Sequence, residues 1–445
     1  MVVGIPTRSL RALPVAFTGP SRLRTALCRW YRIKRKSEMK DEGLKSGGKD
    51  TVTISRKRFE ELLLAEATQM ASVRQTSVSI ELMRKFGKNP TLNTLIQSAE
   101  FLHRELPVRY AVRAKEFELA PSWIKTEPFK QISDMYIQCF LDLRSMDEPS
   151  TADSEERLCE ILRNHKARLA LVISLLSEGV TELRVKRGLT QREETFLHDL
   201  LDRFLSARIG TSVITAQHLA LHDDVVNGNR EGYVGALDLK CSPAEVLRDA
   251  AQTVQFMCEK EMGTSPGFVV KGHLDVTFPY FPAHIHYIGC ELLKNSFRAT
   301  VEHSKLFEND ADFKIPDVEV VIGSSSQNED VCIMIRDRGG GIPSHKLEDV
   351  WKYTHTTAGE RAQEMYGYQN HRREGILAGM GFGLPLSRLY AGFFGGQLEL
   401  GSLAGIGTAA YVRLKRLGGV EQIRQYEDRF PSLYNTFTPL NPFEG

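Results

Sequence analysis

Glu291-Leu-Leu-Lys-Asn295 lies inside a run, His286 to Thr300, whose apolar residues recur at helical spacing. The two polar side chains, four positions apart, therefore leave one face of one helix. Such a face can hold a base beside a metal ligand. Asn295 offers a neutral carbonyl oxygen, a hard donor suited to a magnesium ion that already carries phosphate oxygens and waters. Glu291 can take a hydroxyl proton.

Three more fragments follow in order: Asp337-Arg-Gly-Gly-Gly341, Gly379-Met-Gly-Phe-Gly383-Leu-Pro, and Gly407-Thr408. Val331-Cys-Ile-Met-Ile335 reads as a short buried strand leading to Asp337, after which Gly339 to Gly341 let the backbone turn and approach a ligand closely. A carboxylate there can accept the amino group of adenine. Gly379, Met380, Gly381, Phe382, Gly383 and Leu384 lead into an expected helix, Leu386 to Phe394, whose start would present free backbone N–H groups and a positive dipole end to phosphates. Thr408 precedes the alternating run Ala409 to Leu414 and places a hydroxyl at the mouth of a strand, within reach of the base. Singly these signals are weak, since a glycine triplet is usually a plain turn and Glu291 with Asn295 fits a solvated helix face. As an ordered set they point to ATP bound with magnesium. No Walker loop is present, nor the lysine, His-Arg-Asp and Asp-Phe-Gly set of eukaryotic protein kinases, so a different ATP fold is required.

The four fragments resemble the N box, glycine boxes and GT element of the Bergerat-type ATPase and kinase superfamily. More narrowly, the chain from about Ser72 to Leu417 is similar to the mitochondrial dehydrogenase kinases, and the likeness includes Leu102-His-Arg-Glu-Leu-Pro-Val-Arg109 and His218-Leu-Ala-Leu-His222-Asp-Asp224. Within that family Ser72-Val-Arg, His218 to Asp224 and Tyr287-Ile-Gly-Cys-Glu-Leu-Leu-Lys-Asn295 are most similar to branched-chain 2-oxoacid dehydrogenase kinases. Pyruvate dehydrogenase kinases carry a histidine where Tyr287 stands, yet the tail Phe430-Pro-Ser-Leu-Tyr-Asn435 is similar to theirs. Both substrate readings stay open on these residues.

The resemblance implies an N-terminal antiparallel four-helix bundle followed by a Bergerat-type α/β sandwich that binds ATP. It implies roles as well: Asn295 as magnesium ligand, Asp337 as adenine-binding acid, Glu291 as general base. Gly339, Gly341, Thr356, Thr357, the segment Gly379 to Leu384 and Thr408 would be further nucleotide contacts. Arg298 matches a motif arginine beside the nucleotide, either touching phosphate or bracing its helix. A potassium ion near the lid is also implied, at Val350-Trp-Lys-Tyr-Thr-His355, where Lys352 adds a positive charge. The implied partners are the decarboxylase α subunit of a 2-oxoacid dehydrogenase complex, the lipoyl domain of the acyltransferase core, and a second copy in a homodimer. No nucleic-acid partner is expected.

At 445 residues the chain is too long for one core and fits two or three domains of roughly 100 to 200 residues each. Its net charge of +2 hides an asymmetry: the first 36 residues carry nine Arg and Lys, from Arg8 to Lys36, and no Asp or Glu. Leu10, Leu13, Val15, Phe17, Leu23 and Leu27 are interleaved with them, as in an amphipathic mitochondrial presequence, and no apolar stretch approaches the ~18 residues of a membrane span. Seven cysteines without paired spacing argue against a disulfide framework or structural zinc motif and fit a reducing compartment, the matrix.

Beyond a polar linker, four amphipathic runs at roughly 92 to 119, 127 to 147, 154 to 186 and 191 to 222 predict an antiparallel bundle, with Thr190-x-x-Glu193 as a capping box for the fourth. The turn-rich Asn227-Gly-Asn-Arg-Glu-Gly232 precedes an α/β part in which helices should cover one face of a sheet. The expected division is 1–48 leader and linker, 49–235 helical domain, 236–417 nucleotide domain and 418–445 tail. Pro343 to Ala378, without steady periodicity, is the expected lid. His218 and His222, four apart on a helix, can formally share a metal, and His222-Asp223 can mimic a bacterial phosphoacceptor box. A packing role is the simpler reading.

These readings converge on a protein serine kinase that phosphorylates and switches off a 2-oxoacid decarboxylase, the branched-chain complex first and the pyruvate complex as alternative. From other classes come a Bergerat-type ATPase clamp, with Glu291 activating water, and a binding-only scaffold.

Overall fold

The amphipathic runs fold as helices, several of them opened by side-chain N-caps at Ser79, Thr91, Thr151, Thr190 and Ser242. The computed structural model describes residues 56–307, 314–324, 330–355, 381–416 and 418–421. Helices α1 (Arg56–Ala71) and α2 (Ile80–Phe86) precede the bundle proper. That bundle comprises α3 (Leu92–Leu119), α4 (Glu127–Arg144), α5 (Ala152–Arg168), α6 (Val172–Lys186) and α7 (Gln191–Asn227). The box at the start of α7 forms as its sequence predicts: Thr190 N–H donates to Glu193 Oε2 at 3.0 Å, and Thr190 Oγ1 accepts from the Glu193 N–H. Stacked and edge-on rings of Phe117, Phe129, Tyr136 and Phe204 fill the centre.

One expectation fails in detail. The run over 154 to 186 is two helices joined by a 3-10 turn, Leu169–Leu171, although it contains neither proline nor a glycine near the joint. The carbonyl of Leu169 accepts a hydrogen bond from Arg208 Nη2 of α7 at 3.0 Å. A side-chain donor entering the helical ladder tightens the turn locally. The last helix also outruns its expected end and stops at Asn227, where Gly228 takes φ 99°.

A small antiparallel sheet follows, β1 (Tyr233–Val234), β2 (Leu237–Cys241) and β4 (Phe278–Tyr280). The main sheet has order β3-β5-β6-β8-β7, from β3 (Phe268–Gly272), β5 (Val318–Ser324), β6 (Asp330–Arg336), β8 (Gly407–Lys415) and β7 (Gln397–Leu403). Only β3 and β5 run parallel; the other pairs are antiparallel. Alternation along the strands buries Val318, Val320, Ile322, Val331, Ile333, Ile335, Val412 and Leu414 on one face. Helices α8 (Pro243–Met262), α9 (Pro282–Ser304) and α10 (Gly383–Gly392) accompany this sheet. Gly289 allows α9 to lie close on α8, since a Cβ there would come 2.7 Å from Leu247 Cδ2. Lys271, Glu319 and Arg336 pair across the opposite face. No helix among the described residues is long and apolar enough to cross a membrane.

Near the start of α9, His284 is buried among Tyr280, Phe281, Tyr390 and Phe394. Its Nδ1 has no hydrogen-bond partner, and burial pushes the imidazole pKa down to about 3. The unfolded chain, with an ordinary imidazole near 6.5, then binds one proton more than the folded chain between those two values. His284 thus contributes stability that is complete above pH ~6.5 and is lost as pH falls toward its folded pKa, with a slope of about 1.4 kcal/mol per pH unit. Urea midpoints of the protein and of His284→Phe, followed from pH 7 to 5, are expected to diverge on this account; parallel curves would refute it.

Candidate nucleotide site

Asp337 follows β6 and is buried. Ser296 Oγ, on α9 and next to Asn295, donates to Asp337 Oδ2 at 3.0 Å, while the N–H groups of Gly339 and Thr408 donate to Oδ1 at 2.9 and 3.2 Å. Burial pushes the carboxyl pKa up and these three donors pull it back. Asp337 N–H donates in turn to the Thr408 carbonyl at 2.9 Å. Asp337, the N box helix and the start of β8 are thereby locked to one another.

The glycine triplet threads a narrow gap between α9 and the β7–β8 hairpin. A Cβ on Gly339 would lie 2.7 Å from the Ala299 carbonyl carbon. Gly341, at φ 67°, has its Cβ position 2.7 Å from the Leu403 carbonyl carbon. Neither place admits a side chain, and the second also needs a left-handed backbone. Thr408 Oγ1 shares a hydrogen bond with Ser402 Oγ at 2.9 Å.

Glu291 is partly buried on α9, and Lys294 Nζ lies 2.5 Å from its Oε1. The other carboxylate oxygen, Oε2, faces Gly383 so closely that a Cβ there would collide with it. Gly383 is the first residue of α10 rather than one that precedes it, because the helix begins three residues earlier than its apolar pattern indicates, with Phe382 as N-cap. Glu291 therefore abuts a helix N-terminus, the end at which orphan N–H groups and dipole favour an anion. Gly381 holds φ 83°, Phe382 is buried, and Leu384 packs against the core. Asn295 is exposed, whereas its neighbours Ser296 and Phe297 are buried. Arg298 Nε donates to Glu302 Oε1 at 2.7 Å, one turn along the same helix. Thr356, Thr357, Gly379 and Met380 lie outside the described residues, as does most of the segment expected to form a lid.

The root of that segment is anchored to the bundle. Tyr353 Oη donates to Asp202 Oδ1 at 2.5 Å, Thr354 Oγ1 to Glu194 Oε1 at 2.6 Å, and Arg184 Nη1 to the Thr354 carbonyl at 2.9 Å. The Tyr353 ring also packs on Phe382 at 4.9 Å, joining the bundle, the start of that segment and the N-cap of α10. Lys352 Nζ pairs with Asp349 at 2.7 Å and Glu194 at 3.5 Å. None of the bundle residues here was singled out from sequence; their only signal is polar side chains on α6 and α7. Lys294 and Ser296 were likewise missed, although the first sits within the quoted motif and the second directly follows it.

Residues 77–238 match the family model of mitochondrial branched-chain alpha-ketoacid dehydrogenase kinase, and residues 282–417 match that of histidine kinase-, DNA gyrase B-, and HSP90-like ATPase. A mitochondrial pyruvate dehydrogenase (acetyl-transferring) kinase of Arabidopsis thaliana is 34% identical over 365 residues, covering 82% of this chain and 97% of the relative. The chain belongs to the mitochondrial 2-oxoacid dehydrogenase kinase family. Isozyme 4 of the mitochondrial pyruvate dehydrogenase (acetyl-transferring) kinase from Mus musculus is 31% identical over 80% of this chain and 88% of its own length. The Drosophila melanogaster enzyme is 32% identical over 76% and 81%. As a family member the chain is a mitochondrial protein serine kinase that uses ATP, and its sheet with helices on one face is the fold of the matched ATPase model.

Proposed function

We propose that this kinase transfers the γ-phosphoryl group of ATP to a serine of the decarboxylase α subunit of a mitochondrial 2-oxoacid dehydrogenase complex. The observation that carries the reading is the position of Glu291, a carboxylate with one oxygen on Lys294 and the other against the first residue of α10. A base and a phosphate-binding helix start are then neighbours, as in-line transfer needs. The residues present fit a magnesium nucleotide: the polar groups of Asp337 and Thr408 stand beside the close-packed glycine turn, and Asn295 is solvent-facing on the same helix that braces Asp337. When bound, Mg-ATP supplies the phosphoryl group. Asp337 accepts the adenine amino group, Asn295 offers its carbonyl oxygen to magnesium, and Gly339, Gly341 and Thr408 shape the base pocket. Gly381 to Leu384, with Gly379 and Met380 before them, cover the phosphates. Thr356 and Thr357 add contacts from the lid, and Arg298 braces α9 through Glu302. Glu291 takes the serine proton as the serine oxygen forms its bond to phosphorus and the bridging oxygen leaves with ADP.

The added phosphate, roughly −2 in charge, would sit near a site that must admit an anionic 2-oxoacid, which makes phosphorylation an off switch. The pyruvate complex is the first acceptor to test, because relatives named for it align along nearly their whole length. The branched-chain complex is the second reading, supported by the family model over residues 77–238 and by Tyr287, which packs on Tyr390 at 4.7 Å where pyruvate dehydrogenase kinases carry a histidine. Incubation with radiolabelled ATP and each isolated complex separates these: preferential label on one α subunit names the acceptor. Release of phosphate with no labelled protein would overturn the kinase reading in favour of a clamp. Docking of the helical domain on a lipoyl domain and homodimer formation belong to the same proposal, as does location in the matrix. A potassium ion near this segment is part of the same proposal, and Lys352, paired with Asp349 and Glu194, adds a positive charge that works against it.

Asp337→Asn removes a charged hydrogen-bond acceptor while keeping its shape. Such a loss typically costs ~1.5 to 3 kcal/mol, or roughly 10- to 150-fold in affinity. ATP binding measured by calorimetry is expected to weaken within that range; unchanged affinity would remove Asp337 from the base pocket.

A further inference from the structure

We propose that Glu155, Cys159 and His218 form a binding site for one zinc-class divalent ion between α5 and α7, apart from the nucleotide site. The two partners on α5 are one turn apart, and α7 brings His218 over them. Cys159 Sγ lies 3.1 Å from Glu155 Oε1 and 3.5 Å from His218 Nε2, and His218 Nε2 lies 3.2 Å from the same Glu155 oxygen. All three residues are buried, and this is the group of His, Cys and acidic side chains among the described residues that can hold a metal. Tetrahedral coordination with zinc–sulfur near ~2.3 Å and zinc–nitrogen or zinc–oxygen near ~2.1 Å puts neighbouring donors roughly 3.4 to 3.6 Å apart. The three donors therefore need to spread by only a few tenths of an ångström.

The surroundings also suit an ion. Ser98 Oγ, on α3, is 2.9 Å from His218 Nδ1; with that nitrogen donating to the hydroxyl, the Nε2 lone pair faces the other two donors. His222 Nδ1, one turn further along α7, lies 3.0 and 3.1 Å from the two Glu155 oxygens and holds the carboxylate in place. His218 and His222 thus do not share a ligand position as their spacing alone suggests; Glu155 stands between them. A thiolate, an imidazole and one carboxylate select zinc over magnesium or calcium, which require more oxygen donors, so the site does not compete for the nucleotide's magnesium. On binding, the Cys159 S–H bond breaks, a sulfur–metal bond forms, and the proton leaves to solvent with no change of oxidation state. The ion would tie α5 to α7 and stabilise the folded state by mass action.

The test uses the full chain, stripped with a chelator and free of nucleotide, titrated first with Co²⁺ and then with Zn²⁺. One equivalent of cobalt should bind with a sulfur-to-cobalt charge-transfer band, zinc should displace it, and zinc should raise Tm. Cys159→Ala should abolish the band and weaken zinc binding by more than about 100-fold, and Ser98→Ala, which alters only the brace, by roughly 10-fold. Cys290→Ala removes the thiol beside His286, 3.6 Å away on α9, and should leave the band intact. The proposal is overturned if the unaltered protein shows no band, or if the band survives Cys159→Ala. Should Cys159→Ala fail to fold, loss of the band in Cys290→Ala, or unchanged zinc affinity in Ser98→Ala, overturns it equally.

Discussion

Glu291→Gln is expected to lower kcat by ~100-fold or more while leaving ATP affinity close to that of the unaltered protein, because general-base catalysis by a positioned side chain is typically worth 10²- to 10⁴-fold. The amide is nearly isosteric with the carboxylate, so the contact with the start of α10 persists, and Lys294 keeps an oxygen partner at that place. What disappears is an acceptor for the serine proton. Radiolabel transfer to the decarboxylase, measured at saturating ATP beside nucleotide binding, separates the two effects. Turnover within a few-fold of normal would assign Glu291 to positioning alone. A parallel collapse of ATP affinity would show instead that the substitution had disturbed the phosphate segment.

Arg109→Met should destabilise the protein by about 3 to 5 kcal/mol, the range for removing one partner from a buried ion pair. The Arg109 side chain is 1% exposed, and Glu105 and Glu421 are buried with it. Its Nε donates to Glu105 Oε1 at 2.8 Å, Nη1 and Nη2 to the two oxygens of Glu421 at 2.8 and 3.0 Å, and Nη2 also to the Thr76 carbonyl at 2.7 Å. The backbone N–H groups of Thr76 and Val78 donate to the same carboxylates, and Glu421 N–H donates to the Val78 carbonyl. Gly210 leaves the space this network fills, since a Cβ there would lie 2.8 Å from Arg109 Nη1. Methionine fills much of the volume but strands two buried carboxylates without their cation. Set against a typical stability of ~5 to 15 kcal/mol, this is a large fraction, readable as a lower urea midpoint. Adding Glu105→Gln and Glu421→Gln to the same chain should recover part of the loss, because neutral partners cost less to bury. A loss below ~1 kcal/mol in the single variant would mean that water reaches the cluster.

The network joins distant parts of the chain: Arg109 and Glu421 are 312 positions apart. Arg109 stood out in sequence only as the end of Leu102 to Arg109, and nothing marked Glu421, one acid in a polar tail. By contrast, the capping box at Thr190, the buried alternation of β6 and the shared helix of Glu291 and Asn295 were each readable from a few adjacent residues. The break at Leu169 was not, because its cause is a guanidinium arriving from another helix. The start of α10 was placed late for a related reason: glycines there weaken the apolar pattern, while packing of Phe382 and the fit against Glu291 hold the extra turn.

By itself the sequence determined the two-part architecture and the ATPase class, and it supplied the residues proposed for the nucleotide site, because periodicity, caps and glycine-permitted turns are properties of neighbours along the chain. The tertiary structure alone decided which donors clamp Asp337, that Glu291 meets the first residue of α10, that Glu421 closes on Arg109, and that Glu155 and Cys159 join His218. Each of these is a contact between side chains brought together by helix and sheet packing, and no fixed spacing in the chain specifies which surface will face which.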